Sequence, residues 1–157
     1  MLFEALGLVI RAYPQKLTLN VQGIQAERNV PIEVLLQSDN LENVLTEVIR
    51  RRISAVSYAS PKAYLEYLNN VAGIKTSDPA FLNYLEIKAA RDVIVHNAGI
   101  INDVYIQKAG DKSRGNIGDR LVIDSDYFDH CVATLKRVSG IIQRDVEKNF
   151  PKDTKSA

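Results

Sequence analysis

The chain has 157 residues and a mass of 17.5 kDa, which fits one domain with its own core. Apolar residues make up 46% and charged residues 25%, so collagen, coiled coil and wholesale disorder are excluded. With 20 Lys and Arg against 19 Asp and Glu, the formal charge is +1. No strong long-range field gathers nucleic acid, and any RNA contact needs a local patch, which a symmetric dimer would double. The single cysteine, Cys131, rules out an intrachain disulfide. A metal site would have to draw on His96, His130 and carboxylates, with at most one thiolate. No apolar run approaches the ~20 residues that span a bilayer. Leu2 to Ile10 is interrupted by Glu4 and follows no basic stretch, which makes a poor signal peptide. The expected address is the cytoplasm, with no membrane partner.

Residues 1–39 read as an N-terminal extension. Leu2, Phe3, Leu6, Val9 and Ile10 fall near one face of a short helix that Pro14 stops. Leu17 to Gln22 alternates apolar and polar, the period of a half-buried strand, and Val30 to Leu36 is partly β-branched around Pro31. A small hairpin is expected there.

From residue 40 to 150 the pattern is helical. Leu41, Val44, Leu45, Val48, Ile49, Ile53 and Val56 recur at three- and four-residue steps, behind Asp39 or Asn40 as a cap. Ser60-Pro61 opens a second helix carrying Tyr64, Leu65, Leu68 and Val71, which Gly73 ends. Asp78-Pro79 opens a third, running through Phe81, Leu82, Leu85, Ala89 and Val93 to about His96, with Gly99 as its stop. A last helix starts at Asp124 or Ser125, with Phe128, Cys131 or Val132, Leu135, Val138, Ile142 and Val146 as its stripe. Residues 108–120 hold three glycines and six charged residues, a composition that predicts a mobile loop. The flanking Val104–Gln107 and Leu121–Ile123 are β-prone and could form a two-stranded clip. Residues 151–157 read as a flexible tail. The expected fold is all-α, an antiparallel helical bundle with a small β decoration.

The helix ending at His96 carries the chemistry. Leu82, Leu85, Ala89 and Val93 form one apolar stripe, which His96 continues, and Tyr84, Ile87, Ile94 and Val95 form a second with Arg91 inside it. Two stripes suit a helix that packs in the core on one side and meets a second protomer on the other. Arg91 in such a seam calls for an anion. Asp92 and His96 are i,i+4 neighbours, so the carboxylate can reach the imidazole, and Asn97 adds an amide. The plainer reading gives His96 a capping role at the helix end and pairs Arg91 with Glu86, Asp92 or a partner's carboxylate.

The stretch Arg91-Asp92-Val93-Ile94-Val95-His96-Asn97-Ala98-Gly99-Ile100 resembles the Arg-x4-His motif of HEPN domains, the higher eukaryotes and prokaryotes nucleotide-binding superfamily, with its continuation into a turn. The tyrosine-rich helix from Pro61, the loop ending Gly118-Asp119-Arg120-Leu121-Val122-Ile123 and the closing helix from Asp124 are similar in order and spacing to such domains, over roughly residues 40–150. The resemblance implies a HEPN-like all-α domain that dimerises through the motif helices, and in many members a metal-independent endoribonuclease without a cofactor. Carried over, Arg91 and His96 would be the catalytic pair and Asp92 the polar residue beside the arginine. Ala98 stands where the toxin branch paired with nucleotidyltransferase antitoxins has tyrosine.

The chemistry is self-consistent. RNA supplies its own nucleophile, the 2′-hydroxyl. An imidazole can move protons near neutral pH, and a guanidinium fork matches phosphate oxygens. Arg91 and His96 lie ~140° apart on one helix, a constraint that two copies across a dyad would relieve. The expected function is cleavage of single-stranded RNA to a 2′,3′-cyclic phosphate, in defence or stress, with an antitoxin or regulator as a possible partner. Asn97, Lys108, Lys112 and Arg114 are the candidate substrate-binding residues; no metal ligands are assigned. Two alternatives stand beside this: a non-catalytic HEPN module that dimerises and binds RNA or nucleotides within a larger protein, and a structural helical interaction domain. Arg50, Arg51 and Arg52 look like a basic patch, but successive helical residues diverge by ~100° and a solvated face is the alternative. Tyr58, Tyr64 and Tyr67 could stack bases or pack.

Overall fold

The computed structural model describes residues 2–24 and 29–151. The tail from Lys152 to Ala157 lies outside the described residues. All regular structure among the described residues is helical: α1 (Leu2–Ala12), α2 (Ile32–Gln37), α3 (Leu41–Tyr58), α4 (Pro61–Ala72), α5 (Ala80–His96), α6 (Asp103–Ala109) and α7 (Ser125–Asn149), with 3₁₀ turns at Pro14–Thr18 and Gly110–Lys112. The chain is all-α. It divides into two compact units, residues 1–74 with 144–157, and residues 75–143. α7 contributes to both. The divide does not fall at residue 40, because α1 packs on α3 and α4 rather than standing apart as an extension.

In the first unit, the predicted face of α1 is buried at Leu6, Val9 and Ile10, against a core that includes Ile49, Val56, Tyr64, Tyr67, Leu68 and Val71. Asn40 caps α3 by accepting from the Asn43 amide at 2.9 Å. Ser60 caps α4, and Gly73 ends it at φ +65°, a left-handed conformation that glycine adopts without a Cβ clash. Arg50 and Arg51 both bind Glu47, at 2.7 and 2.8 Å, while Arg52 is buried and donates to the Leu17 carbonyl at 2.8 Å. The three arginines therefore form no common patch. Tyr64 and Tyr67 are core residues and Tyr58 is exposed.

The expected hairpin does not form. Pro14–Thr18 is a 3₁₀ turn and Ile32–Gln37 is helical, with Pro31 preceding its first turn. Only Val34 of that helix is buried, so the β-branched residues there have no sheet face to fill. The predicted clip fails for a related reason. Val104–Gln107 lies inside α6, whose N-cap Asn102 accepts from the Tyr105 amide at 2.9 Å. Among the described residues the β decoration reduces to one isolated antiparallel bridge, Ile100 to Arg120.

The second unit has its own core. Ala89, Ala90 and Val93 of α5 pack with Ile101, Tyr105 and Ala109, Leu121 and Tyr127. The buried face of α7 keeps part of the predicted stripe, Val138 and Ile142, and departs from the rest. Phe128 and Leu135 are exposed, while Tyr127, Thr134, Val138, Ile141 and Ile142 are buried. Polar residues on the buried face shift the apparent phase, because hydropathy alone places Thr134 outside.

Candidate functional site

α5 brings the motif to the surface. Asp78 starts it, accepting from the Ala80 amide at 2.9 Å. At its other end the Asn97 and Gly99 amides donate to the Val93 carbonyl, at 2.9 and 3.1 Å. Ala98 and Gly99 then take positive φ, +51° and +78°, and for alanine that conformation costs about 1–2 kcal/mol. The segment after α6 holds this turn in place. Leu121 donates to Gly99 at 2.8 Å, Ile101 to Asp119 at 2.9 Å, and Gly118 to Ile101 at 2.9 Å, all backbone to backbone. The stretch expected to be a free loop is thus the clamp on the end of the motif helix. Glycines at 110, 115 and 118 serve its positive-φ turns.

Arg91 and His96 are both exposed, and the imidazole makes no hydrogen bond or ion pair among the described residues. His96 does not continue the buried stripe of Leu85, Ala89 and Val93, because α5 ends there and the core lies one turn back. The expected contact from Asp92 to His96 is not made. Asp92 binds Arg91 at 3.3 Å and Lys108 of α6 at 3.7 Å instead. Two nearby cations outcompete the imidazole at the last position of α5. The second apolar stripe of α5 is half-buried at Tyr84 and Ile87 and exposed at Ile94 and Val95.

Lys88 completes this group. It stands one turn before Asp92, on the arc between Arg91 and His96 at ~100° per residue. Burial pushes its ammonium below the usual lysine value, the Lys108 charge adds to the effect, Asp92 opposes it, and Arg91 lowers it further. The sequence contains the signal, since residues 88, 92 and 96 follow the i,i+4 spacing, but a lysine on a helix reads as a solvated charge.

The remaining predicted substrate contacts lie elsewhere. The Asn97 side-chain amide donates to the Ile100 carbonyl and belongs to the turn. Lys112 and Arg114 line a cleft of about 430 Å³ with Asn83, Glu86, Asp124, Asp126, Tyr127 and His130. Arg114 packs on the cleft wall: its guanidinium carbon sits 3.5 Å from the centre of the Tyr127 ring and Nη2 donates to the Val122 carbonyl at 2.8 Å.

Under that cleft lies a polar knot that sequence reasoning misses. Glu86 of α5 is 3% exposed. The Tyr105 hydroxyl donates to its Oε1 at 2.8 Å and the Tyr127 hydroxyl to its Oε2 at 2.9 Å, tying α5 to α6 and α7. The Arg114 amide in turn donates to the Tyr105 oxygen at 3.2 Å. Burial first, then the Glu86 bond and charge, push the Tyr105 phenol from 10.0 up to about 12, and the same causes raise Tyr127. A phenol whose folded value is raised stabilises the fold fully below its unfolded value, and that contribution is lost as pH climbs through the folded one. Stability is therefore expected to fall as pH rises from about 10 to about 12. Urea unfolding across this range should show the decline, and Tyr105→Phe should flatten it.

Among the described residues, no three His, Cys, Asp or Glu side chains come together to hold a metal ion, and no helix is long and apolar enough to cross a membrane. No family model, no curated protein and no solved structure matches this chain.

Proposed function

We propose that this protein is a metal-independent endoribonuclease of the HEPN type, with an antiparallel helical bundle and two copies meeting through α5, acting on single-stranded RNA in cytoplasmic defence or stress under an antitoxin or other regulator. One observation carries the reading. The imidazole and guanidinium of the Arg-x4-His motif stand exposed on one helix, and the His96 ring is not spent on any bond among the described residues. The exposed Ile94 and Val95 offer the second copy an apolar surface beside them.

In the proposed reaction an unprotonated His96 imidazole takes the proton of the RNA 2′-hydroxyl as its oxygen attacks the adjacent phosphorus. Arg91 neutralises the charge gathering on the phosphorane oxygens. The P–O bond to the 5′-oxygen breaks, and that oxygen receives a proton from an imidazolium, the second protomer's His96 serving where one ring is the base. The products are a 2′,3′-cyclic phosphate and a 5′-hydroxyl. Incubating the purified protein with single-stranded RNA in EDTA is expected to give fragments with those ends, read by mass spectrometry. Intact RNA, or cleavage that EDTA abolishes, rejects the mechanism.

A second reading is favoured by the position of Asp92, which binds Arg91 and Lys108 and leaves His96 unoriented. On that reading the chain is a non-catalytic HEPN module that dimerises and binds RNA, and the EDTA experiment returns binding without fragments.

A further inference from the structure

We propose that Lys88 and Lys108 form, with Arg91, a phosphodiester-binding subsite beside His96, which seats the RNA phosphate next to the one that is cleaved. The proposal rests on the ribonuclease reading for its placement, but it makes a separate claim about binding.

The geometry carries it. Asp92 already bridges two cations, Arg91 at 3.3 Å and Lys108 at 3.7 Å. Lys88 adds a third from one turn earlier on α5. Arg91 and Lys108 thus share one carboxylate, within range of the Lys88 charge, so the ion-paired group itself holds more positive charge than Asp92 can neutralise. The side chains of Asp92 and Lys108 are 34% and 29% exposed, and that of Arg91 is 65%. The group is therefore fixed at its base and open at the guanidinium. Like charges held together in a half-buried setting are costly, and an external anion removes that cost. Burial and the neighbouring cations already lower the Lys88 ammonium, which marks it as the member that gains most from such an anion.

The anion best suited is a phosphodiester of single-stranded RNA. It offers two oxygens to separate donors, and its chain continues toward His96, which lies on the same arc of α5. Lys88 and Lys108 are positioning residues on this account. They hold the strand, and they neither transfer protons nor touch the scissile bond.

The test uses the intact protein and a single-stranded 2′-O-methyl RNA, which has no nucleophile and cannot be cleaved. Its dissociation constant is measured by fluorescence anisotropy over a salt series. Lys88→Gln and Lys108→Gln are each expected to weaken binding about fivefold at 0.1 M salt and to shallow the log–log salt slope by about 0.7. Lys88→Arg and Lys108→Arg keep the charge and should restore both. Asp92→Asn removes the competing carboxylate and should tighten binding. Circular dichroism of each variant shows that the fold is retained, and the arginine variants decide the matter for any glutamine variant that unfolds.

Unchanged affinity and slope in both glutamine variants overturn the subsite, as does a failure of the arginine variants to restore binding. Equal affinity for a hexaglutamate peptide overturns the assignment to RNA. Lysine-dependent binding by a protein that leaves ordinary RNA intact upholds the subsite and rejects the nuclease reading, so the two failures are distinguishable.

Discussion

Replacing His96 with alanine is expected to slow RNA cleavage by about 10²–10⁴-fold, the usual contribution of one proton-transferring group, while leaving the fold unchanged. The second half of this expectation follows from the structure. His96 is exposed at the last position of α5 and bonds to nothing else among the described residues. The turn beyond it is held by backbone bonds from Asn97, Gly99, Ile101 and Leu121, none of which uses the imidazole. Surface substitutions of this kind change stability by about 0.5 kcal/mol or less. Arg91→Ala should lose a comparable factor in rate with equally little effect on folding, because its ion pair with Asp92 is solvent-exposed and such pairs contribute little. Asp92→Ala should cost less in rate, acting through Arg91 rather than through His96. Single-turnover rates read beside thermal unfolding separate chemistry from stability. Wild-type cleavage by the His96→Ala protein would remove His96 from the mechanism.

Replacing Glu86 with alanine is expected to have the largest effect on stability, a loss of about 3–5 kcal/mol. The carboxylate accepts from two buried phenols, on α6 and α7. Without it, the hydroxyls of Tyr105 and Tyr127 stay buried without an acceptor, at about 1–3 kcal/mol each, and a cavity adds to the penalty. Against a total of about 5–15 kcal/mol, this brings the fold close to its limit. Glu86→Gln keeps the volume and one acceptor and should cost less. Urea midpoints of the two variants measure the difference, and a Glu86→Ala protein as stable as wild type would show that the knot contributes nothing. Because α5 carries both Glu86 and the motif, Glu86→Ala should also reduce cleavage, but only in proportion to the folded fraction, unlike His96→Ala.

Much of the helical framework is legible in the amino-acid sequence, and the reason is local. A helix start needs a side-chain acceptor within three residues, and Asn40, Ser60 and Asp78 supply it. A helix stop is marked by a residue that takes positive φ, as Gly73 does after α4, whereas after α5 Ala98 takes that turn first and Gly99 follows it. The faces of α1 and α4 can be read because their buried positions are nearly all apolar. The Arg-x4-His motif is also visible, with its place at the end of a helix.

What only the tertiary structure decides lies where the partner of a residue is distant in sequence. Val104 to Gln107 is β-prone, yet burying Tyr105 and Ala109 against α5 makes it a helix. The buried face of α7 departs from the apolar stripe because it includes Thr134 and ends at Tyr127, whose hydroxyl is satisfied 41 residues away. Glu86 reads as a solvated charge, since nothing near it in sequence announces Tyr105 and Tyr127. Residues 108–120 read as a free loop because composition records glycine and charge but not the backbone bonds, donated by Gly118 and Leu121 and accepted by Asp119, that close it onto the end of α5. Asp92 pairs with Arg91 and Lys108 rather than His96 for the same reason: helical spacing sets which residues can meet along one helix, and the packing of a second helix determines which of those pairs forms.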